Sequence, residues 1–190
     1  MTARTHDAIA FASLITVASL NPPESLNLFT VGAAVVGNVI GATIPDLDQA
    51  GNKLYKLLPG GNYLGKLLRR LFLGHRAFSH SILGFYVMSL IIQLITMRLL
   101  NPNYVNAKLV FDAMMIGYIS HLVADMFTKD GLPLLFPLPF RFGIPPISAF
   151  RITTGSWIEN LVVLPGTAAY IFWFIGRNQQ QILEILRSLV

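Results

Sequence analysis

Met114-Met115-Ile116-Gly117-Tyr118-Ile119-Ser120-His121-Leu122-Val123-Ala124-Asp125 is an apolar run that ends on a histidine and an acid four residues apart. It lies within Lys108–Phe127, a stretch long and apolar enough to read as a membrane-crossing helix. On one helix, His121 and Asp125 share a face. Ionisable groups inside a span are costly and tend to be functional. The pair therefore reads as two ligands for one ion rather than as a helix cap or a solvated ion pair.

Three further stretches have span character: Leu28–Ile44, Ser81–Leu100 and Trp157–Gly176. Ala8–Leu20 is apolar but too short to cross alone. A signal-peptide reading of it is set aside, because cleavage would discard His6. Across 190 residues, 54% are hydrophobic and only 12% charged, and mean hydropathy is +0.60. A soluble helical enzyme with a greasy core is the plainer alternative, but helices apolar all round are usually buried or membrane-embedded. The predicted fold is all-α: a multi-pass transmembrane bundle of four spans plus a short N-terminal apolar helix, forming one domain over residues 1–190. No internal repeat, Gly-rich phosphate loop or Gly-x-Ser-x-Gly elbow occurs. Without cysteine, disulfides and thiolate metal sites are excluded, so nitrogen and oxygen must hold any metal.

The net charge of +5 points to anionic lipid headgroups rather than nucleic acid, because the basic residues gather at span ends and loops. Arg4, Lys53, Lys56, Lys66, Arg69, Arg70, Arg76, Lys129, Arg141 and Arg151 fall on one face of an up-and-down bundle. Arg98, Lys108, Arg177 and Arg187 fall on the other. Ten against four makes the first face cytoplasmic by the positive-inside tendency. The same topology places His6, Asp46, Asp48, His75, His80, His121, Asp125 and Glu159 at that face. Imidazoles and carboxylates are the ligand set of zinc and related divalent metals, so one shared metal site is expected there.

Pro45 should stop the second helix and leave Asp46-Leu47-Asp48 in a turn, where both acids can face a site or one can close an Asx turn. His75 and His80 are five apart, so one helix cannot aim both at one point. With Ser79 as N-cap, His80 would open the next helix and His75 would precede it. The two could converge, or one could bind metal while the other protonates a leaving group or orients a ligand. Arg76 suits phosphate oxygens, and equally an interfacial arginine reaching headgroups. Glu159 sits at the dipole end of the last span that favours an acid. Asp112, four residues after Lys108, reads as one half of an ordinary ion pair. The Pro-rich apolar stretch Met126–Pro139 reads as a membrane-surface rim or lid.

These blocks carry a resemblance. Pro45-Asp46-Leu47-Asp48, Gly74-His75-Arg76-Ala77-Phe78-Ser79-His80-Ser81, Gly117–Thr128 and Gly131-Leu132-Pro133-Leu134-Leu135-Phe136-Pro137 resemble the membrane-bound metal-dependent hydrolase family of bacterial inner membranes. That family is also described as LexA-binding, inner-membrane-associated hydrolases. The likeness implies a multi-pass membrane protein with hydrolase activity and a bound divalent metal, and implies no particular substrate. Ser79 stands where threonine is common, which keeps a hydroxyl. A second likeness, to the all-helical zinc-dependent phospholipase C and nuclease group, lies in the order of His6, Asp46 or Asp48, His75 or His80, His121/Asp125 and Glu159. It departs at position 155, a glycine here where that group has a histidine.

The expectation is a metal-dependent hydrolase at the cytoplasmic surface of the inner membrane, cleaving a phosphoester of a membrane lipid with a metal-activated water. His6, His80, His121 and Asp125 are the leading ligands, with Asp46, Asp48, His75 and Glu159 as further ones. Asp48 is the expected base and Arg76 the phosphate clamp; the metal is expected to be zinc. The rivals are a metal- or substrate-binding transport protein and a non-catalytic adaptor with a structural metal.

Overall fold

The computed structural model describes residues 1–23, 26–48 and 78–187, without the side chains of Asp48 and Leu186. Within them the chain is all-helical, with six α-helices and no strand. We label these α1 (Ala3–Leu20), α2 (Leu28–Thr43), α3 (Ile82–Leu99), α4 (Ala107–Met126), α5 (Leu164–Arg177) and α6 (Gln179–Arg187). A π-helical turn, Glu159–Val163, leads directly into α5.

Among the described residues, three segments are long and apolar enough to cross a membrane: Ile82–Leu99, Ala107–Met126 and Glu159–Arg177. α2 is apolar, but at 16 residues is shorter than the expected span. Its rise of about 24 Å falls short of a hydrocarbon core of ~30 Å. The outer surfaces are apolar too: Leu90, Leu94 and Met97 of α3 and Phe172 and Trp173 of α5 are exposed. A soluble monomer rarely exposes so much contiguous apolar surface.

α4 is the central helix and packs on α1, α2 and α3. Its closest partner is α2, and the reason is small residues. A Cβ on Gly41 would overlap the Met114 carbonyl, and one on Gly117 would overlap the Asn38 carbonyl. Gly41 on α2 and Gly117 on α4 thus let the two backbones touch, and Gly37, four before Gly41, admits the Met114 and Val110 side chains, as in the small-residue packing common in membrane bundles. Asn38, fully buried at this crossing, donates from Nδ2 to the Ala113 carbonyl at 3.0 Å.

Hydrogen bonds at both ends fix the direction of the pair. Asn106, at the start of α4, donates its backbone N–H to Thr30 Oγ1 near the start of α2. His121, near the end of α4, meets the Ala42 carbonyl near the end of α2. The two helices therefore run parallel, as an up-and-down bundle requires of alternate helices.

Three local expectations change. α1 begins at Ala3 rather than Ala8, so His6 lies inside the helix rather than before it. Thr2, its N-cap, makes no side-chain cap bond; instead the Thr2 N–H donates to Glu159 Oε1 at 2.6 Å. A carboxylate from the other end of the sequence thus caps the helix, where negative charge is favoured. Second, the N-cap of α3 is Ser81, not Ser79: its hydroxyl accepts from Gly84 N at 3.0 Å. The backbone at Phe78 and Ser79 folds over Gly84, so closely that a Cβ there would overlap the Phe78 carbonyl. His80 therefore sits in the turn before the helix. Third, α6 follows the last span, which the sequence reading ended at Gly176.

Between α4 and the π-helical turn, the chain forms an ordered rim. Leu132 and Phe142 exchange backbone hydrogen bonds at 2.7 and 2.8 Å, and Lys129 N donates to Ile152 O at 3.0 Å. Arg151 pins it further, donating to the Pro145 and Pro146 carbonyls at 2.7 Å each. Phe140, Ile147, Phe150 and Trp157 remain exposed around this frame, as expected of a rim at a membrane surface.

Candidate metal centre

His121 is the hub. Its Nδ1 lies 2.7 Å from the Ala42 carbonyl, one of the last carbonyls of α2, which the helix itself leaves without a partner. A carbonyl only accepts, so Nδ1 carries the hydrogen, and Nε2 presents a lone pair to the interior. That Nε2 is buried and has no hydrogen-bond partner.

Around it stand donors from three other segments. The His6 ring, from α1, stacks on the His121 ring with centroids 3.7 Å apart and an 8° tilt. His80, from the turn before α3, stands edge-on to His121 at 5.4 Å between centroids. Asp46 comes from the 3-10 turn Pro45–Asp48 that Pro45 forces after α2. Asp125 lies one turn beyond His121 on α4.

The spacings are those of ligands around an ion. His6 Nε2 is 3.2 Å from Asp125 Oδ1. His80 Nε2 and His121 Nε2 are each 3.7 Å from Asp125 Oδ2 and 3.8 Å from Asp46 Oδ1. Distances of 3.7–3.8 Å are too long for hydrogen bonds. Two ligands each ~2.1 Å from a tetrahedral ion stand about 3.4 Å apart. Two overlapping groups, His6/His121/Asp125 and Asp46/His80/His121, each bring their ligand atoms within 4.8 Å of one another. The donors and the His121 nitrogen, which has no hydrogen-bond partner, fit a divalent cation, which would take Asp125 Oδ1 over from the Met1 ammonium 2.5 Å from it. His6, His80, His121 and Asp125 are all buried, while Asp46 keeps 21% of its side-chain surface. The centre is enclosed on the bundle side and reaches solvent past Asp46.

Glu159 does something else. Its Oε1 accepts from Thr2 N and its Oε2 from Gly155 N at 2.7 Å, and it belongs to neither ligand group. Gly155 adopts φ +76°, a conformation that side chains resist, so glycine at this position serves the clamp. Glu159 fixes the first turn of α1, which carries His6. Asp112 is exposed and paired with Lys108 at 2.7 Å, as expected. His75 and Arg76 lie outside the described residues, as does the side chain of Asp48.

Tyr118 has no role in the sequence reading, and Ser79, expected there as a cap, orients His80 instead. Tyr118 is fully buried, and its hydroxyl donates to the Ser79 carbonyl at 2.6 Å, holding the His80 turn onto α4. Ser79 Oγ lies 3.1 Å from His80 Nδ1, orienting that ring. Tyr118 precedes His121 by three residues, one helical step on the same face. A buried tyrosine hydroxyl needs a partner, and that was the available signal.

Comparison with known proteins agrees with a membrane setting. The YdjM inner membrane protein family matches residues 1–184. The chain belongs to that family. It is 31% identical over 174 residues to Uncharacterized protein YvsG of Bacillus subtilis, covering 92% of this chain and 94% of that one. It is 34% identical over 128 residues to Inner membrane protein YdjM of Escherichia coli, covering 66% of this chain and 59% of the relative. No solved structure matches.

Proposed function

We propose that the chain is a metal-dependent hydrolase of the inner membrane, cleaving a phosphoester of a lipid or lipid-linked substrate at the cytoplasmic face of a four-span bundle. The observation that carries this is the convergence of two further imidazoles and two carboxylates around the buried Nε2 of His121, which has no hydrogen-bond partner. Leaving a buried polar atom unmatched costs about 1–3 kcal/mol, which a cation at the lone pair offsets. The imidazole-rich donor set favours zinc. α2 serves as the fourth span in this reading, because it runs beside α4 from the level of Asn106 to that of His121.

A zinc ion held there would lower the pKa of a bound water towards ~7 and draw charge from the phosphoester oxygens. The chain's part is placement. Ala42 sets the tautomer of His121, Ser79 and Tyr118 set His80, and the Glu159 clamp sets His6. Asp125 presents Oδ1 to His6 and Oδ2 to His80 and His121. Asp46 stands at the solvent side, where substrate would arrive. Asp48 as proton acceptor, Arg76 as phosphate clamp and His75 as a further ligand or acid complete the proposal from the sequence.

The test is metal analysis of the protein purified from membranes, with phosphate release from phospholipids assayed before chelation, after it and after zinc is restored. Bound zinc with chelator-sensitive release supports the hydrolase. Bound zinc without turnover of any lipid phosphoester would leave an adaptor with a structural metal, and metal uptake into vesicles would leave a transporter. Periplasmic labelling of a cysteine placed at Lys66 would overturn the orientation.

A further inference from the structure

A groove of about 620 Å³ runs between α1 and the π-turn/α5 segment, within the ~300–1,000 Å³ usual for ligand sites. We propose that it binds one acyl chain of a glycerophospholipid from the leaflet that meets the metal centre. The proposal rests on the lipid phosphoesterase reading and names what that hydrolase would recognise besides phosphate.

The register of both walls points to it. Ile9, Ser13 and Thr16 face Val163, Gly166 and Tyr170 across the groove. His6 lies three residues before Ile9 and seven before Ser13, on the same side of α1. Glu159 heads the other wall, followed at helical spacing by Val163, Gly166 and Tyr170. The groove thus opens one turn, about 5.4 Å, below His6 of the centre and the Glu159 clamp that fixes its helix. A chain lying in it would bring its glycerol end to their level.

The wall chemistry suits hydrocarbon. Thr16 Oγ1 donates to the Ala12 carbonyl at 2.7 Å, and Thr167 Oγ1 to the Val163 carbonyl at 2.9 Å. Both hydroxyls are satisfied by their own helices, which leaves Ser13 as the polar side chain turned to the groove. With its hydrogen committed, Thr16 accepts from Tyr170 OH at 2.8 Å, tying the walls together at the end remote from His6. A Cβ on Gly166 would meet nothing within 4 Å. The π-helical turn falls on this wall, a distortion frequent at functional sites.

Length selects the occupant. From Val162 to Tyr170 the groove runs about 12 Å, against a hydrocarbon thickness of ~15 Å for one leaflet. A helix from a second copy would need the groove to continue along the span. Below it, Tyr170 packs with Trp173 and Phe174 at 6.0 and 5.7 Å between centroids and fills that line.

The test uses the full chain in vesicles of phosphatidylethanolamine and phosphatidylglycerol, with some phosphatidylglycerol carrying an acyl-chain diazirine. Photolysis should concentrate adducts on peptides holding Ser13 and Val163–Thr167. Gly166→Leu, which fills the groove from α5, should cut these about tenfold, a change worth ~1.4 kcal/mol. Adducts on exposed Leu90 and Leu94 of α3 should stay constant. Ser13→Leu fills the opposite wall and should repeat the result if Gly166→Leu folds poorly. Labelling unchanged in both variants, or cross-links to a second copy, would overturn the acyl site. Gly166→Leu should retain its metal, and His121→Ala should retain its acyl labelling. Labelling that survives both groove-filling variants therefore condemns the groove, and absence of metal condemns the hydrolase reading.

Discussion

α4 carries two polar pairs at the same i, i+4 spacing, and they have nothing else in common. Lys108 and Asp112 sit at one end, exposed and in direct contact at 2.7 Å. His121 and Asp125 sit at the other, buried, with their facing atoms 3.7 Å apart. The first pair is complete in itself. The second is held open, and α1, the turn after α2 and the turn before α3 bring further donors to it. Spacing on one helix therefore nominates a pair; what the rest of the chain places around it decides whether the pair is a site.

The widest gap between the two ends should appear in metal content. His121→Ala and Asp125→Asn should each reduce metal affinity by more than the roughly 10–100-fold that loss of a supporting residue costs. Phosphoester hydrolysis should fall with it, while helix content by circular dichroism holds. Full metal occupancy in His121→Ala would erase the distinction between the two pairs.

Glu159→Gln sharpens the same contrast from outside α4. The carboxylate accepts two backbone N–H groups, and an amide can accept one while turning its own donors on the other. The first turn of α1 should loosen and carry His6 with it. Metal affinity should drop about tenfold, as for a residue that orients a ligand, together with a lower thermal midpoint. A loss as deep as that of His121→Ala, with the midpoint unmoved, would make Glu159 a ligand after all.

What the sequence disclosed follows the same division. His121 and Asp125 were legible because helical periodicity is local, and the end of α2 because Pro45 has no N–H to continue its ladder, although Ile44 before it stays in the helical region. The meeting of His6, Asp46 and His80 with them was legible only through topology, by following spans up and down to a common face. The early start of α1 was not legible, since its cap is a carboxylate 157 residues away. Propensity alone does not separate Ser79 from Ser81, two residues on, as the cap of α3. Gly84, admitting the Phe78 carbonyl, settles the choice in favour of Ser81. Gly41 and Gly117 are plain in the sequence, but only their meeting across α2 and α4 brings the Ala42 carbonyl to His121.

Ser81→Ala removes the cap without touching the centre. It should cost about 0.5–2 kcal/mol, read as a lower midpoint in thermal unfolding of detergent-solubilised protein. Metal content should stay near wild type, because Tyr118 and Ser79 still hold the His80 turn. Metal loss equal to that of His121→Ala would mean that the turn owes its position to the cap.

The smallest effect belongs to the first pair. Asp112→Ala should change neither metal content nor hydrolysis, and should cost only ~0.2–0.5 kcal/mol, the usual worth of an exposed i, i+4 ion pair. Thirteen residues separate Asp112 from Asp125, about 20 Å along the helix, so no shared ion couples them. The pair is also solvated, with side-chain exposures of 75% for Lys108 and 42% for Asp112, so salt should weaken what little it contributes. Thermal midpoints of wild type and Asp112→Ala should therefore converge as sodium chloride is raised. The difference between wild type and His121→Ala, with metal present, should persist. If Asp112→Ala loses metal as His121→Ala does, the two ends of α4 are coupled through the fold, and the separation drawn from their surroundings fails.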